Sequence, residues 1–157
     1  MGRIVAGFLA GALAVLVFHQ TMGILLAKAG FPPAGPPYNM AAHAAAIPAV
    51  AAFFKSLGFA GWPIIFNLCF WGGMWGLLYG LINGVVPGRS VIVKGLVFGF
   101  LIQLFNWTAL AYIQGQRTGT AAAYFSGFVP QRMAIGAAFQ MAFGLGVAIF
   151  YRLLRRG

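Results

Sequence analysis

Phe70-Trp71-Gly72-Gly73-Met74-Trp75-Gly76-Leu77-Leu78-Tyr79-Gly80-Leu81-Ile82-Asn83-Gly84 is the stretch that decides the fold. It carries no charge, and it sets Gly72, Gly76, Gly80 and Gly84 at intervals of four beside Trp71, Trp75 and Tyr79. On an α-helix that interval aligns the glycines in one shallow groove, where a second backbone can lie close. In lipid such an approach replaces the hydrophobic drive that is absent between helices. The stretch therefore reads as the packing face of a membrane-spanning helix.

Outward from it the apolar run fills Pro63–Val86, and three similar runs occupy Ile4–Ala27, Val91–Ile113 and Met133–Tyr151. Each has about the 20 residues that a bilayer-crossing helix needs and is bounded by charge, Gly or Pro. Val86-Pro87-Gly88-Arg89 makes a tight turn between the second and third runs. Ala27-Lys28-Ala29 superficially fits a signal-peptide cleavage site, but the first apolar run is too long for one and reads as a span. The expectation is an all-α fold: one polytopic transmembrane four-helix bundle over residues 1–157, with outer loops at 28–62 and 114–132.

Composition points the same way. The 157 residues include no Asp or Glu, 62% are hydrophobic and 6% are charged, well outside the soluble globular range. A chain without side-chain carboxylates has no Asp/Glu general acid or base, no Ca²⁺ or Mg²⁺ cage and no carboxylate proton relay. A Ser/His/Asp triad is excluded by the missing Asp, and no hydroxyl near His19, such as Thr21, has an evident activating partner. Glycine-rich segments lie inside spans and lack the Gly-Lys-Ser/Thr ending of a phosphate loop. The chain reads as a non-enzyme.

The net charge of +10 does not indicate nucleic acid, because the cations are spread over every span boundary instead of clustering on one face. Arg3, Arg89, Lys94, Arg152, Arg155 and Arg156 fall on one side of the membrane, and Lys28, Lys55, Arg117 and Arg132 on the other. By the positive-inside rule the first set is cytoplasmic, which places both termini inside. The second set forms an outer cationic rim. Cys69 stands alone inside the second span and reads as a small apolar filler.

The first outer loop opens with Phe31-Pro32-Pro33-Ala34-Gly35-Pro36-Pro37, which favours a stiff polyproline-like spacer. Ile47, Val50, Ala51, Phe54 and Leu57 then recur at helical spacing, with Pro48 suited to a first turn and Gly58 to a stop. This is expected to be a short interfacial helix with Lys55 turned to water or headgroups. In the second outer loop Tyr124, Phe125 and Phe128 suit headgroup level.

A faint internal repeat lies at an offset of 88: Gly7, Gly11, Leu13 and Leu16 match Gly95, Gly99, Leu101 and Leu104, and each series follows a Gly-Arg pair. The first and third spans run the same way, so a duplication would be of helical hairpins in parallel. Gly7/Gly11, Gly95/Gly99 and Gly136/Gly144 offer shorter packing grooves, and these grooves either hold the monomer together or receive a helix of another subunit.

His19, Gln20, Asn67, Asn106 and Gln140 fall in the outer halves of their spans, with Gln103 near mid-depth. This polar belt bonds across the helices or lines an outward pocket that would favour anions or neutral polar molecules, since no carboxylate attracts a cation. His19 is also the candidate ligand for a haem or pigment, although His43 lies in a loop and no Cys-x-x-Cys-His motif is present. The reading of the other residues needs no cofactor.

The combination Phe18-His19-Gln20, Pro36-Pro37-Tyr38-Asn39-Met40 and Phe70-Trp71-Gly72-Gly73-Met74-Trp75-Gly76 resembles a group of small four-span inner-membrane proteins of proteobacteria with no assigned activity. That resemblance implies a bacterial cytoplasmic-membrane setting and no particular chemistry. The functional expectation is an accessory or structural subunit, assembling through glycine-lined faces with itself or with other membrane subunits. The alternatives are a small channel or carrier for an anion or neutral polar solute, and a haem- or pigment-associated subunit using His19.

Overall fold

Proline, glycine and serine set where the helices begin and end. A computed structural model of the chain describes residues 2–31, 36–44, 46–110, 113 and 130–156. Helix α1 runs over Arg3–Lys28. Gly30 stops it at φ +85°, with Gly30 N–H donating to the Ala27 carbonyl (3.1 Å) and Phe31 N–H to that of Leu26 (3.0 Å). Helix α2 spans Pro48–Ser56, with proline in its first turn. Gly58, at φ +86°, ends it with the same pair of bonds, Gly58 to Lys55 and Phe59 to Phe54. Helix α3 spans Ile64–Ile82. Helix α4 starts at Val91 behind Ser90, whose hydroxyl accepts from the Val93 N–H at 3.1 Å, and runs to Ala109. Helix α5 covers Pro130–Arg156.

All regular structure among the described residues is helical, apart from an isolated bridge between Ala42 and Pro63. Four helices, α1, α3, α4 and α5, are long and apolar enough to cross a membrane, which makes the chain a multi-pass membrane protein by length and composition. Helix bounds depart furthest from hydropathy bounds at the C-terminal ends of α3 and α5. Helix α3 stops at Ile82, so Asn83 and Gly84 belong to the turn and Gly84 has nothing within 4 Å of a would-be Cβ. Helix α5 continues past Tyr151 to Arg156, because helix formation persists after apolarity ends.

Two close seams join the helices. Helix α1 lies antiparallel on α3: Gly7 faces Gly76, Gly11 faces Gly72, and a Cβ on Gly76 would stand 2.7 Å from Gly11 Cα. Helix α4 lies on α5 in the same way: Gly95 and Gly99 face Gly144 and the Gln140 backbone, with a would-be Gly99 Cβ 2.7 Å from Met141 Cα. The glycines that match in the 88-residue repeat thus occupy corresponding places in two hairpins. Between the hairpins the pseudo-symmetry breaks. Helix α1 packs along α5, with Phe18 and Ala14 against Gly146. Helices α3 and α4 meet through rings, Tyr79 on Phe98 at 4.9 Å and Trp75 on Phe105 at 5.5 Å. Ala6, Ala10, Ala14, Phe98, Phe143 and Val147 form the buried centre.

Candidate functional site

Both of the helices that begin a hairpin widen into a π turn, α1 midway at Val15–His19 and α4 at its end, over Asn106–Leu110. Such turns gather at functional sites, because they free backbone groups and re-aim side chains. In α1 the Gln20 N–H that closes the turn is shared between the carbonyls of Val15 and Val17. The Leu16 carbonyl between them accepts from the Tyr38 hydroxyl at 2.9 Å. The Tyr38 N–H in turn donates to Gln20 Oε1 at 2.9 Å, and Tyr38 adopts φ +51°, a left-handed backbone that these two bonds hold in place.

Tyr38 thereby ties the first loop to α1, and the next residues tie it to α3. The Ile65 N–H donates to the Asn39 carbonyl and the Ile64 N–H to that of Ala41, both at 2.9 Å. These are two of the first-turn donors that a helix start leaves without partners. Asn39 Oδ1 accepts from the Ala41 N–H at 2.9 Å, shaping the turn. His43 N–H reaches the Trp62 carbonyl at 2.8 Å.

Between this strap and the helices lies a cavity of about 180 Å³, lined by His19, Gln20, Gly23, Asn39, Leu68 and Phe139 among others. His19 stacks obliquely on Phe139, ring centres 4.8 Å apart, and its Nδ1 is buried with no hydrogen-bond partner. An unpaired buried nitrogen is costly, so the packing on Phe139 has to offset it. Ligand pockets measure roughly 300–1,000 Å³. This cavity suits a water cluster or a small polar molecule, and a macrocycle at His19 would have to displace Phe139.

The other belt residues lie elsewhere. Gln103 is buried and bridges α4 to α5: with its amide turned to satisfy both neighbours, Nε2 donates to the Gly136 carbonyl at 2.9 Å and Oε1 accepts from Trp107 Nε1. Asn67 is buried within α3, while Asn106 and Gln140 are half-buried. Of the six, only His19 and Gln20 line the cavity. Of the outer cations Lys28 and Lys55 are exposed; Arg117 lies outside the described residues, as do the Arg132 side chain and Tyr124, Phe125 and Phe128. Pro32, Pro33, Ala34 and Gly35 of the expected stiff spacer also lie outside them.

A second polar cluster, at the end of the molecule that carries the termini, escaped the sequence reading. Asn83 Nδ2 donates to the Gly80 carbonyl (3.0 Å) and to the Tyr151 hydroxyl (3.2 Å). Lys94 Nζ donates to the Asn83 carbonyl at 2.7 Å. The ammonium thus sits on the C-terminus of α3, where the helix dipole favours a cation. Lys94 reads in sequence as one more cytoplasmic charge, and Asn83 as part of the second apolar run. Only their placement after a helix end, one on each side of the Pro87-Gly88 turn, hints that they meet.

Comparison with known protein families, with characterised proteins and with solved structures finds no match.

Proposed function

We propose that this chain is a non-catalytic accessory subunit of a larger membrane assembly, a single four-span bundle in a bacterial cytoplasmic membrane with both termini on the cytoplasmic side. The observation that carries the reading is where the interior groups go. Gly7, Gly11, Gly72, Gly76, Gly95, Gly99 and Gly144 all meet neighbours within the chain, and Gln20, Gln103, Asn83 and Lys94 bond to the chain itself. Such an interior is occupied with holding four helices together. What remains for function is the outward surface, where Ile4, Val17, Phe66, Trp71, Leu81 and Ile92 are exposed apolar groups suited to lipid or to helices of other subunits. Helix α2, with Phe53 and Phe54 beside Lys55 and Leu57 just after its end, suits the interface plane.

Purification from the source membrane in mild detergent, read by native mass spectrometry and an absorption spectrum, tests this reading. Stoichiometric foreign subunits are the expected outcome. A colourless chain that purifies alone, or only with copies of itself, would sink it.

The cavity beside His19 favours a second reading, a carrier or receptor for a small neutral or anionic polar molecule, since His19, Gln20 and Asn39 converge on one space. In that case Gln20→Leu should abolish uptake into reconstituted vesicles, and unchanged flux would dismiss the carrier.

A further inference from the structure

Against the start of α3 lies an apolar groove of about 270 Å³, walled by Ile47, Val50 and Phe54 on one side and by Trp62, Phe66 and Phe70 on the other. Rings build it: Phe54 stacks on Phe66 at 5.4 Å, and Trp62 meets Phe70 edge-on at 5.9 Å. Its walls are open to the outside, Ile47, Phe66 and Phe70 being 59%, 40% and 42% exposed. In a chain whose four long helices are fit to span a bilayer, a groove at the first turns of α3 opens near the edge of the hydrocarbon. An apolar recess there gains dispersion contacts only when something apolar fills it.

We infer that this groove binds one anionic glycerophospholipid, an acyl chain lying in the groove against its rings and the phosphate held by Lys55. Charge complementarity selects the headgroup. Lys55 does not line the groove but stands at its rim on α2, about 100° round the helix from Phe54 and exposed, and a chain with ten cations and no Asp or Glu offers it no side-chain carboxylate. A phosphodiester supplies the missing negative charge, and each Lys near an anionic surface favours such lipid by about fivefold. Helix α2 is fixed well enough to hold such a ligand, because Gly58 closes its end and Phe54 reaches both Trp62 and Phe66. The site is independent of the accessory role and of the His19 cavity.

The full-length protein, reconstituted into nanodiscs of phosphatidylcholine and phosphatidylglycerol in equal parts, is released into native mass spectrometry. The wild type should retain one phosphatidylglycerol at least fivefold over phosphatidylcholine. Ile47→Trp changes an exposed wall residue and should fill the groove without unfolding the chain, lowering retained lipid about tenfold. Lys55→Gln should keep a lipid and bring the two headgroups to near-equal retention. Equal retention of both lipids by the wild type would overturn the assignment. So would unchanged occupancy in Ile47→Trp, or a bound polypeptide or second copy that Ile47→Trp releases in place of lipid.

Discussion

At the end carrying the termini, Asn83, Lys94 and Tyr151 direct their donors to one another and to carbonyls where α3 runs out, whereas at the loop end the His19 ring overhangs a cavity with Nδ1 buried and unbonded. The same four helices make both ends. At the first, the tight turn between α3 and α4 brings Lys94 within 2.7 Å of the Asn83 carbonyl, so a cation meets a helix C-terminus without any loop to place it. At the second, a π turn and a long strap leave space. Polar groups in a membrane protein stiffen it where they are paired and mark a place for another molecule where they are not.

The contrast depends on the glycine seams, and breaking one has the largest expected effect. Gly76→Leu would drive a side chain into the Gly11 backbone and should destabilise the fold by about 3 kcal/mol or more, while Gly84→Leu, with nothing within 4 Å, should cost little. Chemical unfolding in detergent, followed by helical circular dichroism, compares the two variants. Equal stability would mean that the α1–α3 seam does not hold the molecule.

Lys94→Met attacks the paired end alone. Loss of a charge-assisted bond to the Asn83 carbonyl should cost about 1.5–3 kcal/mol in the same assay, and a loss below 0.5 would show that the cluster is incidental.

Gln20→Leu attacks the strap at the loop end, where one neutral bond to the Tyr38 N–H is worth about 1 kcal/mol. The expected readout is local: faster proteolysis within residues 28–62 with little change in global unfolding. His19→Phe should have the smallest effect of all. It keeps a ring against Phe139 and removes a nitrogen that has no partner, so stability should stay within about 0.5 kcal/mol or rise. A drop of 2 kcal/mol would reveal a bond to His19 and abolish the contrast between the ends.

The four long helices were legible because uncharged runs of bilayer length are rare in any other setting. The spacing of Gly7/Gly11, Gly72/Gly76 and Gly95/Gly99 also announced backbone contact, though not which helix would fill each groove. Groove partners depend on how antiparallel helices are set in depth, and spacing carries no depth. Gly84 was read with the groove because the run of four-residue intervals continues past the end of α3. The short helix at Pro48–Ser56 was readable from Pro48, Gly58 and its apolar period. Less of the site was readable. Polarity singled out His19 and Gln20, but not that Tyr38 and Asn39 of the strap fold back to bond Gln20 and the start of α3. The π turns left no mark, since Val15–His19 has the composition of any apolar helix. Trp107 as partner of Gln103 had no mark in the sequence either, since an interval of four on one helix is shared by many side chains that do not bond.

Asn67 and Gln103 of the polar belt are closed in among the helices, whereas His19 and Gln20 line an open cavity at the loop end. Thiol labelling in native membranes tests this contrast most directly. In a Cys69→Ala background, Asn67→Cys and Gln103→Cys should resist a charged methanethiosulfonate reagent, while Asn39→Cys, in the cavity wall, should react readily. Rapid labelling at both 67 and 103 would contradict the claim, because it would place water along the belt and make the chain a conduit.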